Sequence, residues 1–287
     1  MKKSDALGQE PIGKLLRQQA IPASIGILVM SIYGIVDTIF VGRFVGPIAI
    51  GAITVVLPIT FLISSIGMAV GIGGSSIVSR AMGRGDRSYA VNTFGNMISL
   101  TVGIAITIVL LGIFFQDEIL SLFGGKGKTF NAAQEYFGIV LIGIPCLAWA
   151  MMSNNVIRAE GQPRIAMISM MVPAIMNLVL DPIFIVGLDM GLAGAGWATA
   201  IAYCSAAIFT SWFFFFSGRS DMRISTTCLK LRTRIVKEIF SLGAVTLARQ
   251  GVIAVLSIIL NNALFAYGGA LAMSAYGIIQ RTMMFAN

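Results

Sequence analysis

The chain has 287 residues, 57% of them hydrophobic and 11% charged, with a formal charge of +8. So apolar a composition excludes a soluble core and points to a polytopic membrane protein; its continuous, non-alternating apolar runs argue against a β-barrel. The absence of histidine removes imidazole relays and His-based metal sites, and three cysteines without a CxxC pair (Cys146, Cys204, Cys228) argue against structural zinc or a disulfide framework.

Residues 1–20 are charged and polar before any long apolar run, which is not the layout of a cleavable signal. The segment 12–20, with Lys14 and Arg17, reads as a short amphipathic lead-in. The first span follows at about 21–42, with Pro22 near its start and Asp37 as its one charge; Tyr33 precedes Asp37 by four residues and shares its face. Gly46-Pro47 leads into a second span at about 48–74, where the glycines of GIGGSS suit close helix packing better than a phosphate loop. The third span covers about 92–115, a short amphipathic turn follows, and the fourth covers about 133–156.

A tight basic turn, IRAEGQPRIAM, leads to the fifth span, about 165–187. This span carries Asn177 and, four residues on, Asp181, followed directly by Pro182. A carboxylate there costs roughly 2.5–3.5 kcal/mol near the centre of an inserted helix, so it is read as functional first and as an acid reaching headgroup water second. Pro182 withdraws a backbone donor and loosens the turn that bears the acid. The sixth span, about 192–216, carries Thr199 in its first half. A polar, basic stretch at 217–238 precedes a seventh span at about 239–266 and an eighth beginning near 270.

Lysine and arginine counts set the orientation expected for these spans. With the N-terminus inside, inner segments hold fifteen and outer loops three, while Arg249 and Arg281 lie within spans. That asymmetry accounts for the net charge without nucleic acid. Spans 1 and 5 then run outward, and Asp37 and Asp181 both lie roughly 8–9 Å below the outer edge of the apolar layer at ~1.5 Å per residue. Span 6 runs inward and brings Thr199 to a comparable level. Four polar groups from three spans, Asp37, Asn177, Asp181 and Thr199, therefore share one depth. The segment 44–52 also aligns with 267–275, pairing Gly46 with Gly269, Ala49 with Ala272 and Ala52 with Ala275. Six spans per unit would make these parallel repeats. The expectation is an all-α membrane protein with a six-helix bundle at 1–216, a basic cytoplasmic linker at 217–238, and the first helices of a second bundle at 239–287, part of a longer protein.

IYGIVDTIFVGRFVGPIAIGA, IRAEGQPRIAM, NLVLDPIFIVGLDMGLAGAGWATAIA and LKLRTRIVKEIFSLG together resemble the MATE (multidrug and toxic compound extrusion) transporters. The resemblance covers nearly the whole chain. It implies twelve helices in two six-helix bundles around a central cleft, exporting organic cations in exchange for H⁺ or Na⁺. The resemblance implies that coupling runs, as in one branch of the family, through acidic and polar groups of the N-terminal bundle at positions matching Asp37, Asn177, Asp181 and Thr199. Other members carry a key acid in helix 7, where this chain has none and has Arg249 instead.

The mechanism expected is a carboxylate pair that holds a shared proton, or binds Na⁺ through Asp37, Asn177 and Asp181, alternately with drug. No cofactor is expected beyond that coupling ion. Pro22 and Pro182 mark spans 1 and 5 as moving parts. Tyr33, Tyr136, Met151, Asn154 and Asn155, with Met152, are candidates for the drug-binding wall; ordinary packing is the competing account of the methionines. The expected setting is the plasma (inner) membrane, multi-pass, with a small organic cation as substrate, no nucleic-acid partner and a monomeric carrier. The rival readings are a lipid-linked oligosaccharide flippase, which would need more basic residues within the spans, a membrane-embedded enzyme, which lacks any nucleophile or zinc motif, and a passive scaffold.

Overall fold

The computed structural model describes residues 11–222 and 226–286; Lys2, Lys3 and Arg223, counted above toward the inner charge, lie outside them. Among the described residues eight α-helices follow one another: α1 (Ile12–Phe44), α2 (Pro47–Gly83), α3 (Arg87–Phe114), the short α4 (Gln116–Leu122), α5 (Lys128–Ala159), α6 (Pro163–Asp181), α7 (Gly191–Phe215) and α8 (Thr233–Ala286). A π-helical turn, Pro182–Gly187, extends α6, and a 3₁₀ turn, Thr226–Leu229, precedes α8. All but α4 are long and apolar enough to cross a membrane.

The lead-in expected at 12–20 is not a separate element. It runs without a break into the first span, so α1 is one helix of 33 residues with Pro22 inside it. The second span likewise continues to Gly83. The seventh and eighth spans are joined as α8, interrupted only at Gly269, whose φ of 65° no helix can contain. Gly46, its partner in the internal alignment, ends the α1–α2 connection at φ 116°. Both glycines take a backbone conformation that a Cβ would oppose, and in both places an apolar helix ends and another begins.

α2 is the central strut. It packs against α5 on one side and α8 on the other. A Cβ on Gly67 would stand 2.6 Å from the Ala148 carbonyl of α5, and one on Gly73 would overlap the Ile239 carbonyl of α8. Small residues thus let the backbones approach, which is how helices associate where lipid removes the hydrophobic drive. One buried cluster, around Val41, Val55, Phe137 and Met273, fills the end near the Gly46 turn. A second, around Phe94, Met97, Phe213 and Ile239, fills the other end.

Side chains fasten both ends. Near Gly46, Asn261 and Asn262 of α8 donate to the carbonyls of Phe123 (3.2 Å) and Leu122 (2.9 Å), satisfying the end of α4. Ser274 donates to the Pro47 carbonyl at 2.6 Å. At the opposite end Arg80 pairs with Glu238 at 3.0 Å and Arg87 with Asp221 at 2.7 Å. Asn96 of α3 holds the stretch before α8 by donating to the Lys230 carbonyl and accepting from the Arg232 amide. These ties bind the stretch after α7 to the first helices, rather than leaving it as a free connector.

Candidate ion and substrate site

Three helical pairs at i, i+4 spacing build the site: Tyr33 and Asp37 on α1, Asn177 and Asp181 on α6, Thr199 and Tyr203 on α7. Each pair lines one helix face. α1 lies against α6, and α6 against α7, so the three faces meet. Asp37, Asn177, Asp181 and Thr199 are all buried. Asp37 and Asp181 are near enough for each carboxyl to feel the other's charge. Asn177 Nδ2 and the Tyr136 hydroxyl each lie 3.5 Å from Thr199 Oγ1, which itself donates to the Ala195 carbonyl at 2.9 Å.

The donor set is unbalanced. Asn177 Oδ1 and Asp181 Oδ1 are buried acceptors without a hydrogen-bond partner. A buried acceptor left unmatched costs about 1–3 kcal/mol, and either a proton or a small hard cation would remove that cost. Oxygen-only donors from Asp37, Asn177, Asp181 and Thr199 fit Na⁺ chemically.

One member of this cluster is invisible to motif reasoning. Arg281, from the part of α8 beyond the Gly269 break, pairs with Asp37 through Nη2 at 3.2 Å and donates through Nη1 to the Gly34 carbonyl at 3.0 Å. Gly34 makes room for it, since a Cβ there would stand 3.2 Å from Nη1. Gly277, one turn before Arg281, lets the helix lie against α2, where a Cβ would meet Thr54 Oγ1. The register of the final helix is what delivers the guanidinium. Arg249, the other arginine within a span, is exposed on α8 and takes no part.

Two neighbouring cavities lie beside Asp37 and Asn177. One is lined by Tyr33, Asp37, Thr60, Tyr136, Thr199 and Arg281. The other runs toward the opposite end between Met30, Tyr33, Met151, Asn154, Met170 and Asn177. Tyr33, Thr199 and Tyr203 line both, so the polar and the apolar cavity share a wall.

Of the candidate drug-binding residues, Tyr33, Tyr136, Met151 and Asn154 line these cavities, although Asn154 is engaged by the Ala166 carbonyl and Ser169 Oγ at 2.7 and 2.8 Å. Asn155 lines neither. It donates to the Met151 carbonyl at 2.9 Å and packs against Gly71 of α2. Met152 is fully buried in the core. Met30, Met170 and Tyr203 are wall residues that composition alone did not single out.

Comparisons with known proteins agree with this architecture. The MatE family model matches residues 22–183. Multidrug export protein MepA of Staphylococcus aureus (strain MRSA252) is 29% identical over 280 residues, covering 96% of this chain and 61% of the relative. Multidrug export protein MepA of Staphylococcus haemolyticus (strain JCSC1435) is 30% identical over the same span, with the same coverage. The chain thus spans about three fifths of the length of these curated relatives. The structure of the MATE multidrug transporter DinF-BH in a ligand complex superposes with a TM-score of 0.92 at 34% identity, covering 99% of this chain and 64% of the other. An inward-facing conformation of a multidrug resistance MATE family transporter of the MOP superfamily matches with a TM-score of 0.85 at 26% identity, over 94% of this chain and 61% of that one. The chain belongs to the MATE family.

Proposed function

We propose that this chain is the ion-coupling part of a cation-driven exporter of organic cations. The observation that carries the reading is the meeting of Asp37, Asn177 and Asp181 in one buried cluster with two unpartnered acceptor oxygens. Arg281 supplies the cation that faces Asp37 in this state. A proton or Na⁺ arriving at the acids competes with that guanidinium for the same oxygens. Its binding therefore weakens a tie between α1 and α8, and the loss of the ion restores it. Coupling follows because ion and arginine favour different arrangements of the two helices, and only such a difference moves an equilibrium. The apolar wall of Met30, Met151 and Met170 offers pliable contacts for a flat organic cation.

The multidrug export relatives support drug efflux as the activity. The lysine and arginine asymmetry supports a cytoplasmic N-terminus in a plasma-membrane carrier. Drug efflux from vesicles under separately imposed H⁺ and Na⁺ gradients tests the reading. Asp37→Asn and Asp181→Asn should each abolish gradient-driven efflux while drug binding persists; full activity in both removes the proposal.

A further inference from the structure

We propose that Cys146 and Cys204 form a dithiol site on the seam between α5 and α7 that binds trivalent organoarsenic compounds. Their Sγ atoms stand 3.3 Å apart although 58 residues separate them. Both are free thiols, and both are half-buried. A close helix contact fixes the pair. One turn before Cys146, a Cβ on Gly143 would stand 2.9 Å from Ala200 Cα, and Ala200 lies one turn before Cys204. The thiols open outward. Ile142, four residues before Cys146, is 59% exposed, and Ile208, four residues after Cys204, is 69% exposed. Each cysteine sits near the middle of its helix, and hence at mid-depth of the apolar layer.

That location selects the chemistry. A pair at mid-depth of the apolar layer is shielded from water-soluble reagents, such as soluble disulfides, that would exchange with it. Condensation with an organoarsonous acid creates no charge. Each As–O bond breaks as an As–S bond forms, each hydroxyl leaves as water with a thiol proton, and arsenic stays trivalent. Reagents and products are neutral, and an aryl arsenical partitions into lipid beside the seam. Two sulfurs already near contact can be bridged by one atom. The second bond is then intramolecular and far outweighs a one-armed adduct. Leu147 and Tyr203, the next residues along each helix, line the cavity, so a bridging arsenic ties two of its walls together. The site stands apart from the acids, and its assay needs no transport.

The test uses the full chain in lipid nanodiscs and phenylarsine oxide as probe. The protein is treated, denatured, alkylated with a maleimide and mapped by peptide mass. Cys146 and Cys204 should both escape alkylation while Cys228 does not. The adduct should survive a large excess of monothiol and be removed by dimercaptopropanol. Cys146→Ala and Cys204→Ala should each lose the monothiol-resistant adduct; should either fail to fold, the map of the unsubstituted chain decides alone. Alkylation of either cysteine after treatment, removal of the adduct by monothiol, or an unchanged adduct in the variants overturns the proposal.

Discussion

Removing the guanidinium of Arg281 should unbalance the cluster more than a surface substitution would. Its side chain is 13% exposed and that of Asp37 8%, so solvent screens the pair little. Breaking a buried ion pair by deleting one partner costs about 3–5 kcal/mol, most of it from the charge left behind. Arg281→Met strands Asp37 beside Asp181, and the cost should reach that range. Asp37→Asn should cost less, about 2–3 kcal/mol, because Arg281 keeps its bond to the Gly34 carbonyl and the carboxylate of Asp181 stays within its electrostatic reach. The double variant carries neither stranded charge. Its loss should fall short of the sum of the single losses by about 2–3 kcal/mol. Unfolding of purified protein in mixed micelles, followed by tryptophan fluorescence for all four variants, measures this cycle. Additivity within about 0.5 kcal/mol would show that the two groups do not interact and would refute the reasoning.

Glu160, just beyond α5, offers a pH-dependent test. Burial pushes its carboxyl from 4.5 up to about 7, against hydrogen bonds donated to Oε1 by Ser220 Oγ and the Asp221 amide. The docked form binds the proton more tightly than the undocked one. Docking of residues 219–222 is therefore strongest below about pH 4.5, weakens as pH rises to about 7 and is level above, with a span of about 3 kcal/mol. Amide exchange at Asp221 and Met222, corrected for intrinsic pH effects, should follow that curve, and Glu160→Gln should flatten it. Gly73→Ala should cost about 1–3 kcal/mol by overpacking against the Ile239 carbonyl. Gly13→Ala, with nothing within 4 Å of its Cβ, should leave the melting temperature unchanged or slightly raised. If Na⁺ is the coupling ion, it should raise the melting temperature of the chain in a concentration-dependent way that Asn177→Ala abolishes.

Much of the site was legible because depth in a membrane is a coordinate the sequence carries. Asp37, Asn177, Asp181 and Thr199 could be set at one level by counting residues from span ends. Their convergence then needed only that α1, α6 and α7 be neighbours. Arg281 escaped that reasoning, since counting depth does not tell which neighbour a lone charge faces, and the break at Gly269 sets its bearing. Asn154 and Asn155 could not both line the cavity. Adjacent helical residues point about 100° apart, so one meets α6 and the other packs on α2. The lead-in at 12–20 looked separate by polarity, yet its backbone has no reason to break before Pro22, and α1 runs through. The thiol contact of Cys146 and Cys204 depends on the Gly143–Ala200 approach, which no local pattern announces.

The wide turn after Asp181 has a mechanical meaning of its own. A π-helical turn stores one residue more than its neighbours while keeping the helix continuous. If that surplus slips back along α6 past Asp181, the acid rotates by about 100° about the helix axis without unravelling it. Two bearings for one carboxylate, separated by the travel of a single surplus residue, would let this helix re-aim its charge without giving up its span.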